Sequence, residues 1–503
     1  MSQSSEVSLI PAPTYLGANL LAALHNREYD EAHRLLDNLS HNPDMIHREI
    51  ITAAIHSGSI PIYNRICELV KVPNLLEATH FDALVRDNKH DIIRLLIQAY
   101  PDAVHKLANP SDAHEPPIHL ACRSSNAEVA SLLIEFTTKE TALRYSSNNL
   151  SLLMEATVHS PDCTELLTNQ PYINDLILVE HGQYPFCAPL HNAARNCKYQ
   201  IFRRLYQIYI ALGSVSNHAK ITGCNVLISL MEPDTEDEAM QFIGDVGHNH
   251  PSLTNIDSHK CTPLHWAAIY GFSRVIDLLY PIYVTKGLVL ARTKKCGHTF
   301  FNYLIHHNHL HIIKDLLERD DFDLRLVSVP DKFGKSPMLH AIDMKHTNIY
   351  ELLYPFSVST GSIAIPHKYG LNVLMAAVAL NLQPVVQLLT SDPKVCLALM
   401  VGSDEGATPL HHAVYESLPE MTSLLCERST PEQLCLRTNN WGLTALHWAI
   451  MYRGVSMIES LLRDHVKARI MMEVKDVDGL TAIDYARMRS PEITAMLEAV
   501  MSV

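Results

Sequence analysis

At 503 residues the chain exceeds the usual size of one globular core, and with 47% apolar and 19% charged residues it is a folded chain and not a disordered one. Its formal charge of −14, from 54 acidic against 40 basic residues, argues against a general nucleic-acid binder, which needs a basic stripe. The 11 cysteines are scattered without a Cys-x-x-Cys pair, which fits reduced, mostly buried thiols in a cytoplasmic setting.

In chain order, residues 1–15 read as a polar, proline-containing tail without the basic-then-apolar order of a signal peptide. Residues 16–110 read as three degenerate helical hairpins. Leu21 and Leu24 open the first, with Ala32, Leu35 and Leu36 in its second helix. Ile51 and Ala54 open the next, with Gly58 as its turn, and Phe81 and Leu84 open the third, before the apolar run 91–96. Residues 111–503 read as a regular array. A buried opening position steps from Ile118 through Leu264 to Ile483 at intervals of 35 to 37 residues, with a small or aliphatic partner three residues later, such as Ala121, Ala267 and Ala486. The most apolar stretch, 371–386, is interrupted by Asn372, Asn381, Gln383 and Pro384, so it reads as a repeat and not as a membrane span.

The clearest copy is Thr262-Pro-Leu-His-Trp-Ala267 followed by Gly271. Thr262 can cap the first orphan amides of a helix. Pro263 at the first helical position loses no hydrogen bond. Leu264 and Ala267 share a face, and Gly271 suits a left-handed helix end. Val275, Ile276, Leu278 and Leu279 then give a second amphipathic helix. Such a hairpin cannot bury its own apolar face and needs neighbours.

The motif returns as Ala188-Pro-Leu-His-Asn-Ala193, Thr408-Pro-Leu-His-His-Ala413 and Thr444-Ala-Leu-His-Trp-Ala449. This pattern resembles the ankyrin repeat. The resemblance implies an all-α solenoid of about fourteen helical hairpins with projecting finger loops, and the steps beyond the family's 33 residues are assigned to longer loops. It also implies that His119, His191, His265, His411 and His447 make structural hydrogen bonds between neighbouring repeats. Two copies depart from the pattern: 223–230 lacks the Thr-Pro and the His, and 297–304 replaces small residues by aromatic ones.

Catalytic and metal motifs are not found. His307 and His311 have the i, i+4 spacing of a helical metal pair, but the repeat register puts a turn at Asn308 between them. Gly334-Lys-Ser336 lacks the upstream glycine of a phosphate loop and starts a repeat helix instead. No catalytic, cofactor-binding or metal-ligating residue is therefore expected. A runner-up reading is an enzyme-like Cys/His pocket in the irregular repeats near 195–255, with Cys197 and Cys224 as candidate members.

The resemblance implies non-enzymatic recognition of a protein partner through a concave surface of fingers and first helices. In successive fingers the residue just before the glycine is Phe333, Tyr369, Glu405 and Trp441, each 36 residues on. Phe333, Tyr369 and Trp441 are not needed for folding there, and Lys332 and Lys368 lie beside them, so a binding stripe is expected. Tyr270, Tyr415 and Tyr452, at the ends of first helices, with Trp266 and Trp448, give a second candidate surface. The partner is then a protein, with no nucleic acid and no membrane insertion, and the apolar last helix (Met496, Leu497, Val500) offers self-association. Arrays with stretched, degenerate repeats also resemble effector proteins that intracellular bacteria deliver into host cells, which would place the chain in a host cytoplasm.

Overall fold

The structure is a computed structural model that describes residues 13–39, 48–57, 59–70, 78–111, 114–179, 189–212 and 226–502. Gly58, Ala188, Gly223, Cys224 and most of the 1–15 tail lie outside the described residues. Among the described residues the regular elements are helices, and the extended pairings are two isolated bridges, Tyr145 with Ser151 and Lys475 with Thr481.

The hairpin follows from its local chemistry. The Thr262 side chain accepts the His265 N–H, and the His265 ring closes the reciprocal bond to the Thr262 amide. Pro263 opens the helix Pro263–Tyr270, and Gly271 ends it at φ 74°. A Cβ on Gly271 would stand 2.4 Å from Cε1 of His309, so the next repeat also packs closely against this turn. The same turn is taken at φ 59° by Asn308, 53° by Asn381 and 59° by Ser417, polar residues that tolerate the left-handed region better than branched ones.

The chain forms two compact units, Met1–Glu232 and Pro233–Val503. In the first, the helices Pro13–His25, Arg48–Ser57, Ala78–Arg86, Pro117–Arg123, Leu152–His159, Pro189–Asn196 and Val226–Leu230 pack in sequence as one layer. Tyr29–Leu39, Ile60–Val70, His90–Ala99, Ala127–Ile134, Pro161–Thr168 and Tyr199–Ala211 form the other. The degenerate hairpins thus stack on those after residue 111 by the same rule as the rest of that unit.

In the second unit the first layer is Pro263–Tyr270, Phe300–His306, Pro337–Asp343, Val373–Ala379, Pro409–Tyr415, Ala445–Tyr452 and Ala482–Arg489. The opening residues from Ile118 to Leu446 are buried, as are all their partners three residues on. Ile483, in the last repeat, is half-buried. Phe300 and Phe301 fill the aromatic copy, and Asn302 takes the histidine's part, accepting from the Thr299 amide at 3.0 Å.

The extra length of the repeats is not only loop. Pro393–Leu399, Pro431–Leu434 and His465–Glu473 are further short helices. Each has its own start signal: Asp392 caps Lys394, Thr430 and Gln433 form a capping box, and Asp464 accepts from Val466 and Lys467. The last helix, Pro491–Ser502, turns Ile493, Leu497 and Val500 inward onto its own unit and leaves Met496 half-buried.

Candidate recognition surface

The fingers of the second unit are laced together by backbone bonds. The amide of Lys332 donates to the Cys296 carbonyl at 3.0 Å, Lys368 to Phe333 at 3.0 Å, Asp404 to Tyr369 at 3.1 Å, Asn439 to Glu405 at 2.8 Å and Val477 to Trp441 at 3.3 Å. In every case the acceptor is the residue just before the finger glycine. The carbonyls of Phe333, Tyr369 and Trp441 are therefore engaged, while their side chains stand 49%, 63% and 65% exposed. The equal spacing read from the sequence corresponds to this equal role.

Tyr369 carries a further peculiarity. Its φ is 78°, a left-handed conformation that bulky side chains rarely adopt. The turn is held by the Gly370 amide donating to the His367 carbonyl at 2.9 Å and the His367 amide to Leu371 at 2.8 Å. Lys368 Nζ lies 5.3 Å from the centroid of the Tyr369 ring.

Tyr369 is also the residue at which the two candidate surfaces meet. A recess of about 630 Å³ is lined by Tyr369 and Leu371 from one finger, Asp404, Glu405 and Ala407 from the next, and His412, Tyr415, Glu416 and Trp448 from helices. A smaller hollow of about 250 Å³ adjoins it, sharing Leu371 and His412 and reaching Lys335 and Asp343, which are paired at 2.5 Å. Trp448 is half-buried, with its ring 5.2 Å from His411 and 6.3 Å from Tyr415. Arg453 sits 5.3 Å from the Tyr415 ring and donates to the Tyr415 carbonyl. Burial pushes the His412 imidazole down despite Glu416 and Glu405, and its Nε2 has no hydrogen-bond partner. The recess therefore has aromatic walls, three carboxylates at its edge and an unused polar atom in its side.

The other expected residues are placed apart from this recess. Phe333 and Trp441 occupy the tips of other fingers, and exposed Lys332 donates to the Lys294 carbonyl. Tyr452 is exposed at the end of its helix. Tyr270 is half-buried, stacked 6.0 Å from Trp266 and packed 5.7 Å from Phe272, so its ring is used within its own repeat. Sequence reasoning passed over Asp404, Glu405, Glu416 and His412 as site residues. Their repeat positions could have found them, since His412 stands where Trp266 and Trp448 do.

His265 and His411 behave as the resemblance implies, whereas His447 keeps its Nδ1 contact to Thr444 at 2.8 Å but leaves its buried Nε2 without a hydrogen-bond partner. His265 Nδ1 pairs with Thr262 at 2.7 Å and its Nε2 with the His298 carbonyl at 3.2 Å. His411 repeats this with Thr408 at 2.8 Å and the Leu443 carbonyl at 3.0 Å. His119 is buried with neither ring nitrogen hydrogen-bonded, so in that copy the inter-repeat bond is absent. His307 ends one helix and His311 lies in the next, with the left-handed Asn308 between them. Cys197 points its thiol at Thr164, 3.7 Å away, and burial pushes it up, the reverse of an activated thiolate.

Residues 374–473 match the family model of ankyrin repeats, in three copies. The B-cell lymphoma 3 protein homolog of Mus musculus is 26% identical over 162 residues, 32% of this chain and 36% of that protein. The transient receptor potential cation channel subfamily A member 1 of Homo sapiens is 22% identical over 386 residues, 74% of this chain and 32% of that protein. The chain thus spans about a third of the length of both relatives. Among the described residues no helix is long and apolar enough to cross a membrane. Among solved structures, the ankyrin repeat domain of Bcl-3, a member of the IkappaB family, matches 47% of this chain and 98% of its own, at 20% identity and a TM-score of 0.39.

Proposed function

We propose that the chain, whose residues 374–473 match the family model of ankyrin repeats, binds a protein partner non-enzymatically in the finger and helix groove of its second unit. Ankyrin repeats in general mediate protein–protein interaction. The observation that carries the finer reading is the recess lined both by the finger-tip Tyr369 and by the helix-borne Tyr415 and Trp448. Aromatic walls supply contact area with few rotamers to freeze. The three carboxylates at the edge, Asp404, Glu405 and Glu416, select a basic side chain. Lys368 and Arg453 already lie against two of the rings, so these faces attract cations. The partner segment is therefore extended and inserts a Lys or Arg, while Phe333 and Trp441 hold its flanks.

The test is selection of a random peptide display library on the full chain, followed by affinity measurement of the enriched peptides. Enriched sequences should share a basic residue. Tyr415→Ala and Glu405→Lys should each weaken them about tenfold or more, the scale of one hot-spot contact. Peptides that lack a basic residue, or that bind both variants as they bind the parent, would place recognition elsewhere.

A further inference from the structure

A second cluster in the same unit brings three imidazoles to one carboxylate. In two repeats the finger aspartate accepts one hydrogen bond from the residue nine positions on: Trp266 Nε1 to Asp257 Oδ2 at 3.1 Å, and the Tyr485 hydroxyl to Asp476 Oδ2 at 2.6 Å. In the repeat of Asp331 that residue is His340, and its Nε2 lies 3.2 Å from Asp331 Oδ2. Here the preceding repeat adds two more imidazoles. His298 Nε2 is 3.4 Å from the same oxygen, and the His306 ring is 5.0 Å from that of His298 and 4.8 Å from that of His340.

We propose that His298, His306, His340 and Asp331 form a binding site for a divalent transition-metal ion of the zinc type, held between two adjacent repeats. The ligand atoms of the three histidines all lie within 4.8 Å of one another. Small ring rotations bring them to the ~3.3 Å edges of a tetrahedron with bonds of about 2.0–2.1 Å. The side chains of Asp331 and His340 are only 1% and 5% exposed. His306 Nε2 is buried without a hydrogen-bond partner, while Asp331 Oδ2 and His340 Nε2, 3.2 Å apart, are buried but not aligned for one. Unmet polar atoms at such depth are costly, and an ion satisfies all of them together.

The surroundings suit this. Asp331 Oδ1 accepts from the amides of Phe333 at 2.8 Å and Lys335 at 2.9 Å, which fixes the carboxylate and leaves Oδ2 to the cluster. Lys335, the nearby cation, is neutralised by Asp343. Three imidazole nitrogens and one carboxylate oxygen favour zinc over magnesium or calcium. Four protein ligands leave no open position, so the ion staples one repeat to the next and performs no chemistry. The helical pair His307 and His311 takes no part.

The test uses the chelator-treated full chain, with Zn²⁺ alone and Co²⁺ alone as probes. Wild type should take up one tight equivalent of Zn²⁺, show the visible bands of tetrahedral Co²⁺, and melt at a higher temperature with Zn²⁺. His306→Asn removes one half-buried ligand, and Asp331→Asn removes the charge but keeps the Oδ1 acceptor. Both should lose the tight equivalent and the Co²⁺ bands, with a metal-free melting transition like that of wild type. His259→Asn, at an exposed finger position, should keep both. No tight equivalent in wild type, or equal uptake by wild type and His306→Asn, would overturn the site. Peptide binding at the recess is read separately, so failure there leaves this result standing.

Discussion

At the scale of single residues, Tyr369 is where folding and recognition conflict. Its φ of 78° costs a bulky residue about 1–3 kcal/mol relative to a relaxed backbone. Its neighbour Gly370, at φ 74°, has no such penalty and could not carry a side chain, since a Cβ there would stand 2.4 Å from the Asp404 amide nitrogen. The strain at Tyr369 is therefore a property of the side chain chosen for that place. Asn tolerates the left-handed region, so Tyr369→Asn should raise stability by about 1 kcal/mol while weakening the selected peptides about tenfold. Urea unfolding and peptide affinity, measured on the same preparation, check the pair. A variant that loses both stability and affinity would mean that the ring is needed for the finger's own packing.

At the scale of the element, the repeat is locked to the next one by a neutral histidine. Burial pushes His265 and His411 each down to about 4. In the unfolded chain a histidine titrates near 6.5, so between about 6.5 and about 4 the unfolded form binds more protons than the folded one. Stability must then fall as pH drops through that window, by on the order of 3 kcal/mol for each such histidine. His411→Asn keeps a partner for Thr408, as Asn302 does for Thr299. It should lower the melting temperature at pH 7 but flatten its decline between pH 7 and pH 5, and parallel declines would reject the assignment. These locks were legible in the sequence because Thr408 and His411 are near neighbours, like the caps, the turn at Gly271 and the 36-residue spacing of the tips. The recess was not legible, since Tyr369 and Trp448 come from different repeats and only stacking sets them across one wall. The histidine cluster failed to show for the same reason. A search along one helix finds His307 and His311, whereas His306 and His340 converge from neighbouring repeats.

At the scale of the whole molecule, stability in a stacked array is a sum of repeat terms and nearest-neighbour interfaces, so a long run of repeats that keeps its own interfaces can hold its fold. Pro233–Val503 contains the finger ladder, the recess and the histidine cluster. It opens on Glu236–Val246, which packs on Ser273–Thr285, with the Glu236 carboxylate accepting from the Arg274 amide at 2.7 Å and the Asp237 carboxylate pairing with the Arg274 guanidinium. It closes on Pro491–Ser502, which covers Ala482–Arg489 and His465–Glu473, while the Arg469 guanidinium donates to the Val500 and Met501 carbonyls, each at 3.3 Å. Both helices thus have a buried inner face and polar anchors to their own unit. A fragment of residues 233–503 should therefore be helical, melt in one cooperative step and bind the selected peptides within about threefold of the full chain, an affinity difference under about 1 kcal/mol. Circular dichroism and peptide affinity decide it. A helical fragment that no longer binds would mean that recognition extends into Met1–Glu232, and one that fails to fold would mean that the last unit depends on the repeats before it.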